Sequence, residues 1–190
     1  MKIAFTGSSS TGKTTLAKRL MGVEAFSDRV GDFITEDARS LLCSLGHSSM
    51  DNMNREELRA FQQLYFKQKA EHEMNQTRFL VDRSFVDVAA YWLVRDAFDL
   101  PTVDQSEFEN ICRAIACAYD LHIHFPIGQI PFTSDGYRSE DVDFHRRIAE
   151  MIELLLAKWN VNFVSIISAD LDSRTQQVLN AVETFHSPIR

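Results

Sequence analysis

The sequence predicts an α/β three-layer sandwich, a mainly parallel sheet of five strands with helices on both faces. Three observations predict it. Short apolar runs suited to buried strands alternate with stretches of helical periodicity along the whole chain. The first of these runs passes through a glycine loop directly into a helix. Apolar residues make up 45% of the 190 residues, enough for a sizeable core in one domain spanning 1–190, with no repeat, low-complexity tract or linker.

The elements follow in order. Lys2 to Thr6 reads as a buried strand and Thr14 to Leu20 as the first turns of a helix. Met21 to Val30 carries no strong pattern. Asp32 to Glu36 reads as a second strand, and Ala38 to Leu42 starts a short helix that Gly46 stops. His47 to Met53 is a polar loop. Asn54 to Gln76 is the longest helical stretch, with Leu58, Phe61, Leu64 and Tyr65 as its apolar stripe. Gln68, Lys69 and His72 interrupt the stripe, so the second half is expected to be solvated or to face a cleft. Arg78 to Asp82 is a third strand, followed by a helix over Phe85 to Phe98. After Pro101, Thr102 and Gln105 form a capping pair for a helix striped by Phe108, Ile111, Cys112, Ile115 and Tyr119. Leu121 to Phe125 is a fourth strand. A loop over Ile127 to Asp141 precedes a helix striped by Phe144, Ile148, Met151, Ile152, Leu155 and Trp159. Val161 to Ile167 is a fifth strand and Leu171 to Phe185 the last helix, with the final five residues loose.

Parallel sheets of this kind bind ligands at the carboxyl ends of their strands. The loop after strand one is Gly7, Ser8, Ser9, Ser10, Thr11 and Gly12, followed by Lys13, Thr14 and Thr15. Its two glycines let consecutive N–H groups turn inward onto phosphate oxygens, with the helix N-terminus behind them. Lys13 is placed to reach the β- and γ-phosphates of a nucleoside triphosphate, and the Thr14 hydroxyl to hold Mg²⁺.

Strand three ends in Asp82, a second Mg²⁺ ligand, and the next residue is Arg83. A motor or remodelling ATPase usually has a water-polarising Glu at that point. An arginine suits a kinase, where it bridges phosphoryl oxygens as charge shifts in the transition state. Glu36 at the end of strand two is the candidate base for an acceptor hydroxyl, with Asp37 competing for the role. Arg138, in Asp135-Gly136-Tyr137-Arg138-Ser139, and Arg146 are the expected cations of a water-excluding lid over about 127–147. His122 and His124 share a strand face, but with no third ligand they read as packed or hydrogen-bonded. Phe61, Tyr65, Phe66, Tyr91 and Trp92 read as core rather than as a base-stacking wall.

Composition narrows the class further. The formal charge of −7 argues against a general polyanion-binding surface, though not against a local basic cleft. Cys43, Cys112 and Cys117 form no Cys-x-x-Cys pair and read as reduced thiols of a cytoplasmic protein. The chain runs into the loop with no room for a signal peptide, and no apolar run approaches the ~20 residues of a membrane span.

Taken together, Gly7-x4-Gly12-Lys13-Thr14, Glu36-x-x-Arg39, Asp82-Arg83 with Asp87 and Tyr91, and Asp135-Gly136-x-Arg138 resemble the small P-loop kinases typified by the nicotinamide riboside kinase domain, a group often labelled AAA-type ATPases. Asp82-Arg83-Ser84 also resembles the Asp/Glu-Arg-Ser of deoxynucleoside kinases. The resemblance spans about residues 1 to 175. It implies a P-loop NTPase fold with strand order 2-3-1-4-5 and ATP- and Mg²⁺-dependent phosphorylation of a nucleoside, nucleotide or nucleoside-like small molecule. By it, Arg39 and Asp87 join Glu36 on the substrate side, Arg83 stabilises the transferring group, and Ser168-Ala169-Asp170 lies near the adenine. The family includes viral kinases that act on hydroxymethylated pyrimidines in DNA, so a DNA acceptor stays open, as does a homodimer. Arg55, Arg59, Lys67, Lys69 and the lid arginines would supply the DNA-binding patch. A nucleotide-gated regulatory ATPase is the reading from another class. A GTPase is disfavoured, because no Asn-Lys-x-Asp guanine-reading motif occurs.

Overall fold

The computed structural model describes residues 1–35, 38–96, 102–131 and 141–186. The elements run β1 (Lys2–Thr6), α1 (Lys13–Met21), α2 (Glu24–Val30), β2 (Asp32–Thr35), α3 (Ala38–Ser44), a 3-10 turn (Met50–Asn52), α4 (Arg55–Met74), β3 (Phe79–Asp82), α5 (Phe85–Asp96), α6 (Thr102–Ala116), β4 (Leu121–His124), α7 (Val142–Trp159), β5 (Phe163–Ser165) and α8 (Leu171–His186). All strand pairs are parallel and the sheet order is β2-β3-β1-β4-β5, as the resemblance implied.

Alternation along the strands divides the core between the two faces of the sheet. Ile3, Phe5, Leu80, Leu121 and Ile123 point to the side covered by α1, α2 and α8, where they meet Leu16, Leu20, Phe26 and Val178. Ala4, Phe79 and Val81 point to the other side, against α5, α6 and α7, with Val86, Cys112, Ile152 and Trp159. A smaller cluster of Leu41, Leu42, Met53 and Phe61 ties α3 to α4. Every strand therefore ends on the same edge of the sheet, and the site is built there.

Several elements depart from expectation. α2 lies in the stretch read as patternless. It has seven residues and buries only Phe26 and Val30, too few to show a period. β5 is confined to three residues of an edge strand, with Phe163 and Val164 exposed. Ile111, placed on the apolar stripe of α6, is instead exposed. α5 ends at Asp96 with the residues beyond it undescribed, and the capping role read for Thr102 falls outside the described side chains.

The second half of α4 is solvated along Lys67, Glu71, His72 and Met74, as expected, and the correction concerns the face that carries Lys69 and Glu73, which is buried. Lys69 is fully buried, its ammonium 2.7 Å from Glu73 Oε1, a close ion pair not aligned as a hydrogen bond. The Tyr119 hydroxyl donates to Glu73 Oε2 at 2.7 Å, and the ammonium lies 5.6 Å from the centre of the Phe85 ring. Polar residues at core positions are tolerated here because each finds a partner. Burial also removes Lys69 from any basic surface patch.

Removing one member of this pair strands a buried charge, so Lys69→Met should lower stability in urea unfolding by about 3–5 kcal/mol. Lys69→Met combined with Glu73→Leu should recover most of that loss. Additive losses in the double variant would show that the two charges do not act as a pair.

Candidate active site

The loop between β1 and α1 is shaped by its neighbours. A Cβ on Gly7 would stand 2.6 Å from the Phe125 carbonyl oxygen, so only glycine fits between β1 and the end of β4. Gly12 has φ 77°, a left-handed conformation, and a Cβ there would press on Arg174 and Ile130. Ser10 also has positive φ, 59°. Lys13, at the start of α1, folds back over the loop, donating to the carbonyls of Gly7 at 2.7 Å and Ser8 at 2.6 Å and to Thr11 Oγ1 at 3.0 Å. The Ser8 hydroxyl is buried with no hydrogen-bond partner among the described residues.

Parallel pairing of β1 with β3 sets Phe5 beside Asp82, which brings the end of β3 to the loop. The Thr14 hydroxyl donates directly to Asp82 Oδ2, so the two expected metal ligands lie in contact. Arg83 follows with φ 74°, an outlier for an arginine. Its amide is held by the Phe5 carbonyl at 3.0 Å, and its guanidinium donates to Ser9 Oγ at 3.2 Å. Burial would lower its pKa, but Tyr91, Tyr65, Asp87 and Asp82 outweigh that and raise it. Such a conformation persists only where the surroundings over-determine it, here through the Phe5 carbonyl and Ser9.

Asp87 is placed otherwise than expected. Ser84-x-x-Asp87 is a capping box at the start of α5. Ser84 Oγ accepts from Val86 N–H at 3.1 Å, while Asp87 Oδ2 accepts from both the amide and the hydroxyl of Ser84 at 2.8 Å. Asp87 Oδ1 accepts the Gly7 N–H at 2.9 Å. Both oxygens are engaged and the side chain is buried, so Asp87 braces the loop. The Ser-x-x-Asp spacing was legible in the sequence.

Tyr91, set aside as core, stands at the site. Its hydroxyl shares a 2.9 Å hydrogen bond with Ser9 Oγ, and Arg83 and Arg95 lie over its ring at 5.3 and 5.5 Å. Burial would raise the phenol pKa, but Arg83 and the hydrogen bond with Ser9 bring it below its ordinary value. Tyr91 meets Phe144 of α7 edge-on, and Arg95 also covers Phe144, giving an aromatic and cationic wall beside the loop. Phe61 and Trp92 are core, as read.

Arg146, expected to fold over the nucleotide, is exposed and paired with Asp143 at 3.0 Å. From α7 it is Val142 and the buried His145 that face the loop, lining a small cavity with Ser9, Ser10, Thr11, Ile127 and Ile130. Thr15 and Arg39 are exposed, on α1 and at the start of α3. Glu36, Asp37, Asp135 and Arg138 lie outside the described residues. His122 bonds Thr6 and the Ala116 carbonyl, and His124 bonds Ser165, each at 3.0 Å. Burial depresses both imidazoles, His124 to about 4. Among the described residues no helix is long and apolar enough to cross a membrane.

The model of the AAA_28 family, an AAA domain, matches residues 2–174. No curated protein matches the chain in sequence. Among solved structures, deoxyadenosine kinase from M. mycoides, with the products dCMP and a flexible dCDP bound, matches over 97% of this chain and 99% of its own, at a TM-score of 0.68 and 14% identity. Thymidylate kinase from Candida albicans matches over 96% and 90%, at 0.64 and 16%. The NadR protein in complex with NR matches over 96% of this chain but 48% of its own, at 0.61 and 20%, so this chain spans about half of NadR. At these identities the likeness establishes the fold, which is that of the P-loop nucleoside and nucleotide kinases.

Lys13 carries a pH dependence. Burial first, then Arg83, lowers its pKa from 10.5 to about 8, against the opposing pull of Asp82 and Asp87. Between those values the folded chain holds fewer protons than the unfolded one, so the Lys13 contribution to stability rises with pH across the window. Phosphate binding, if Lys13 is the cation that holds the phosphates, needs the ammonium and would change in the opposite sense. Titration calorimetry with ATP should show affinity falling as pH climbs above 8, by up to about tenfold per unit, with proton uptake on binding. Lys13→Arg should remove the uptake. Equal uptake in both proteins would assign it to another group.

Proposed function

The chain belongs to the AAA_28 family of AAA domains, and from that footing we propose that it is an ATP- and Mg²⁺-dependent kinase for a nucleoside, nucleotide or nucleoside-like acceptor. The observation that carries this reading is Asp82-Arg83. A carboxylate in contact with the loop threonine is followed at once by an arginine whose strained backbone aims its guanidinium at the loop.

Thr14 Oγ1 and Asp82 Oδ2 are hard oxygen donors side by side, and they fit Mg²⁺, which takes one or two carboxylates with waters and phosphate oxygens rather than a dedicated cage. Bound there, the ion would neutralise charge on the phosphates. The loop amides and Lys13 hold the donor phosphates. On binding, the Lys13 ammonium exchanges loop carbonyls for phosphate oxygens. Arg83 then stabilises charge on the transferring group, and the buried, loop-facing surface of α7 excludes water.

Glu36 is the proposed base. Thr35 pairs with Asp82 across β2 and β3, so Glu36 follows the residue beside the metal ligand. Arg39, near the start of α3, is assigned to the acceptor side. Tyr91 and Phe144 with Arg95 make a wall suited to a flat, polar acceptor. A DNA acceptor loses one of its expected contacts, because Lys69 is buried.

The test is transfer of labelled γ-phosphate from ATP to nucleosides, nucleoside monophosphates, nicotinamide riboside and hydroxymethylpyrimidine DNA. Label is expected on a small acceptor and absent with Lys13→Ala. Label on the DNA alone would move the chain to nucleic-acid modification. ATP bound with no label anywhere would favour a regulatory ATPase. Glu36→Gln should leave ATP binding intact and slow transfer by roughly 10²–10⁴-fold; undiminished turnover would exclude it as the base.

A further inference from the structure

The largest side chain that the fold buries outright is an arginine distant from the loop in sequence. Arg174 is 2% exposed. Asp170 precedes α8 and accepts the Ser173 N–H at 2.7 Å, and its carbonyl accepts the Arg174 N–H at 3.1 Å. From this first turn the guanidinium reaches the phosphate loop. Nη2 donates to the Thr11 carbonyl at 2.8 Å, and the guanidinium carbon lies 5.1 Å from the centre of the Phe125 ring. Nη1 would stand 2.6 Å from a Cβ on Gly12, so the loop glycine leaves space that this arginine fills.

Two features remain unexplained by packing. Nε is buried without a hydrogen-bond partner among the described residues. Burial lowers the pKa of the group, and no described carboxylate opposes that fall. A buried cation with no anion is costly to maintain unless it has a charged partner in the working state of the protein. The Thr11 carbonyl and the Gly12 N–H are also the two ends of one peptide unit. A charge-assisted hydrogen bond to the carbonyl polarises that unit and makes its N–H a stronger donor.

We propose that Arg174 is a positioning residue for the donor polyphosphate: fixed on the Thr11 carbonyl, it orients and polarises the Thr11–Gly12 peptide and supplies the loop with a further buried positive charge beside Lys13 and Arg83. The anion that balances it is the phosphate chain of the nucleotide. The proposal rests on the loop binding nucleotide phosphates, as set out above. It makes the C-terminal helix part of the nucleotide site.

The experiment measures binding of ATP and of inorganic tripolyphosphate to the full chain by calorimetry, for wild type, Arg174→Met, Arg174→Gln and Arg174→Lys, with melting temperatures of the free proteins. A wild-type chain that binds ATP and loses it on Lys13→Ala secures the loop reading separately; a wild type that binds no ATP overturns that reading and this proposal with it. Arg174→Met and Arg174→Gln are expected to weaken both ligands to a similar extent, about 10- to 100-fold, the range of a charge-assisted hydrogen bond. Arg174→Lys should recover most of the loss, because it keeps the charge. Should Arg174→Met fail to fold, Arg174→Gln, which keeps a donor for Thr11, decides alone. Unchanged tripolyphosphate binding, even with a lowered melting temperature, would overturn the proposal, as would equal losses in the lysine and glutamine variants.

Discussion

One carboxylate holds the carboxyl edge of the sheet together. Asp87 takes the Gly7 N–H on one oxygen and the Ser84 amide and hydroxyl on the other. It therefore ties the turn after β1 to the turn after β3. The other side-chain links between the loop and the β3–α5 region, Thr14 to Asp82, Arg83 to Ser9 and Tyr91 to Ser9, lie further along the loop. The strand pairing places Asp82 near the loop. The capping box then fixes how the chain leaves Asp82, which puts Arg83 in its left-handed conformation and Tyr91, one turn further along α5, against Ser9. Because the brace is buried and charged, it is worth more than a neutral hydrogen bond and leaves little freedom at either turn.

The same edge concentrates positive charge. Lys13, Arg83 and Arg174 each contact the loop, through its carbonyls or through Ser9, and all lie where burial disfavours charge. The carboxylates Asp82 and Asp87 and the phenol of Tyr91 offset the first two. This balance explains why Lys13 titrates low while Arg83 is held charged. A site so arranged favours a multiply charged anion and does not require a basic molecular surface, which fits a chain with a formal charge of −7.

The sequence made the architecture legible because its signals are local and redundant. β1, β3 and β4 are apolar runs of ordinary strand length, α7 carries an uninterrupted stripe, and the glycine loop has its strand and helix on either side. Failures came where a long-range partner overrode a local rule. Lys69, in the polar second half of α4, reads as solvated until it is paired with Glu73, which in turn accepts from Tyr119, 46 residues away. In the site, Thr14 and Asp82 follow from motif and strand end, whereas the brace formed by Asp87 depends on a cross-turn contact. Arg174 sits far from any motif, and only the packing of α8 against α1 carries it to the loop.

Helical phase accounts for the direction in which Arg146 points. α7 buries His145, Ile148, Ala149, Ile152, Leu155, Leu156 and Trp159, steps of three and four residues that define one face. Position 146 lies about 100° around the helix from that face. An arginine there points to solvent and pairs with Asp143 one turn back, whatever motif surrounds it. The apolar stripe read from the sequence already contained this result, since extending Ile148 and Ile152 back by one step of three arrives at His145. Charge type pointed to the arginine and periodicity pointed to the histidine. Periodicity decided, because the burial of seven residues outweighs the placement of one exposed cation.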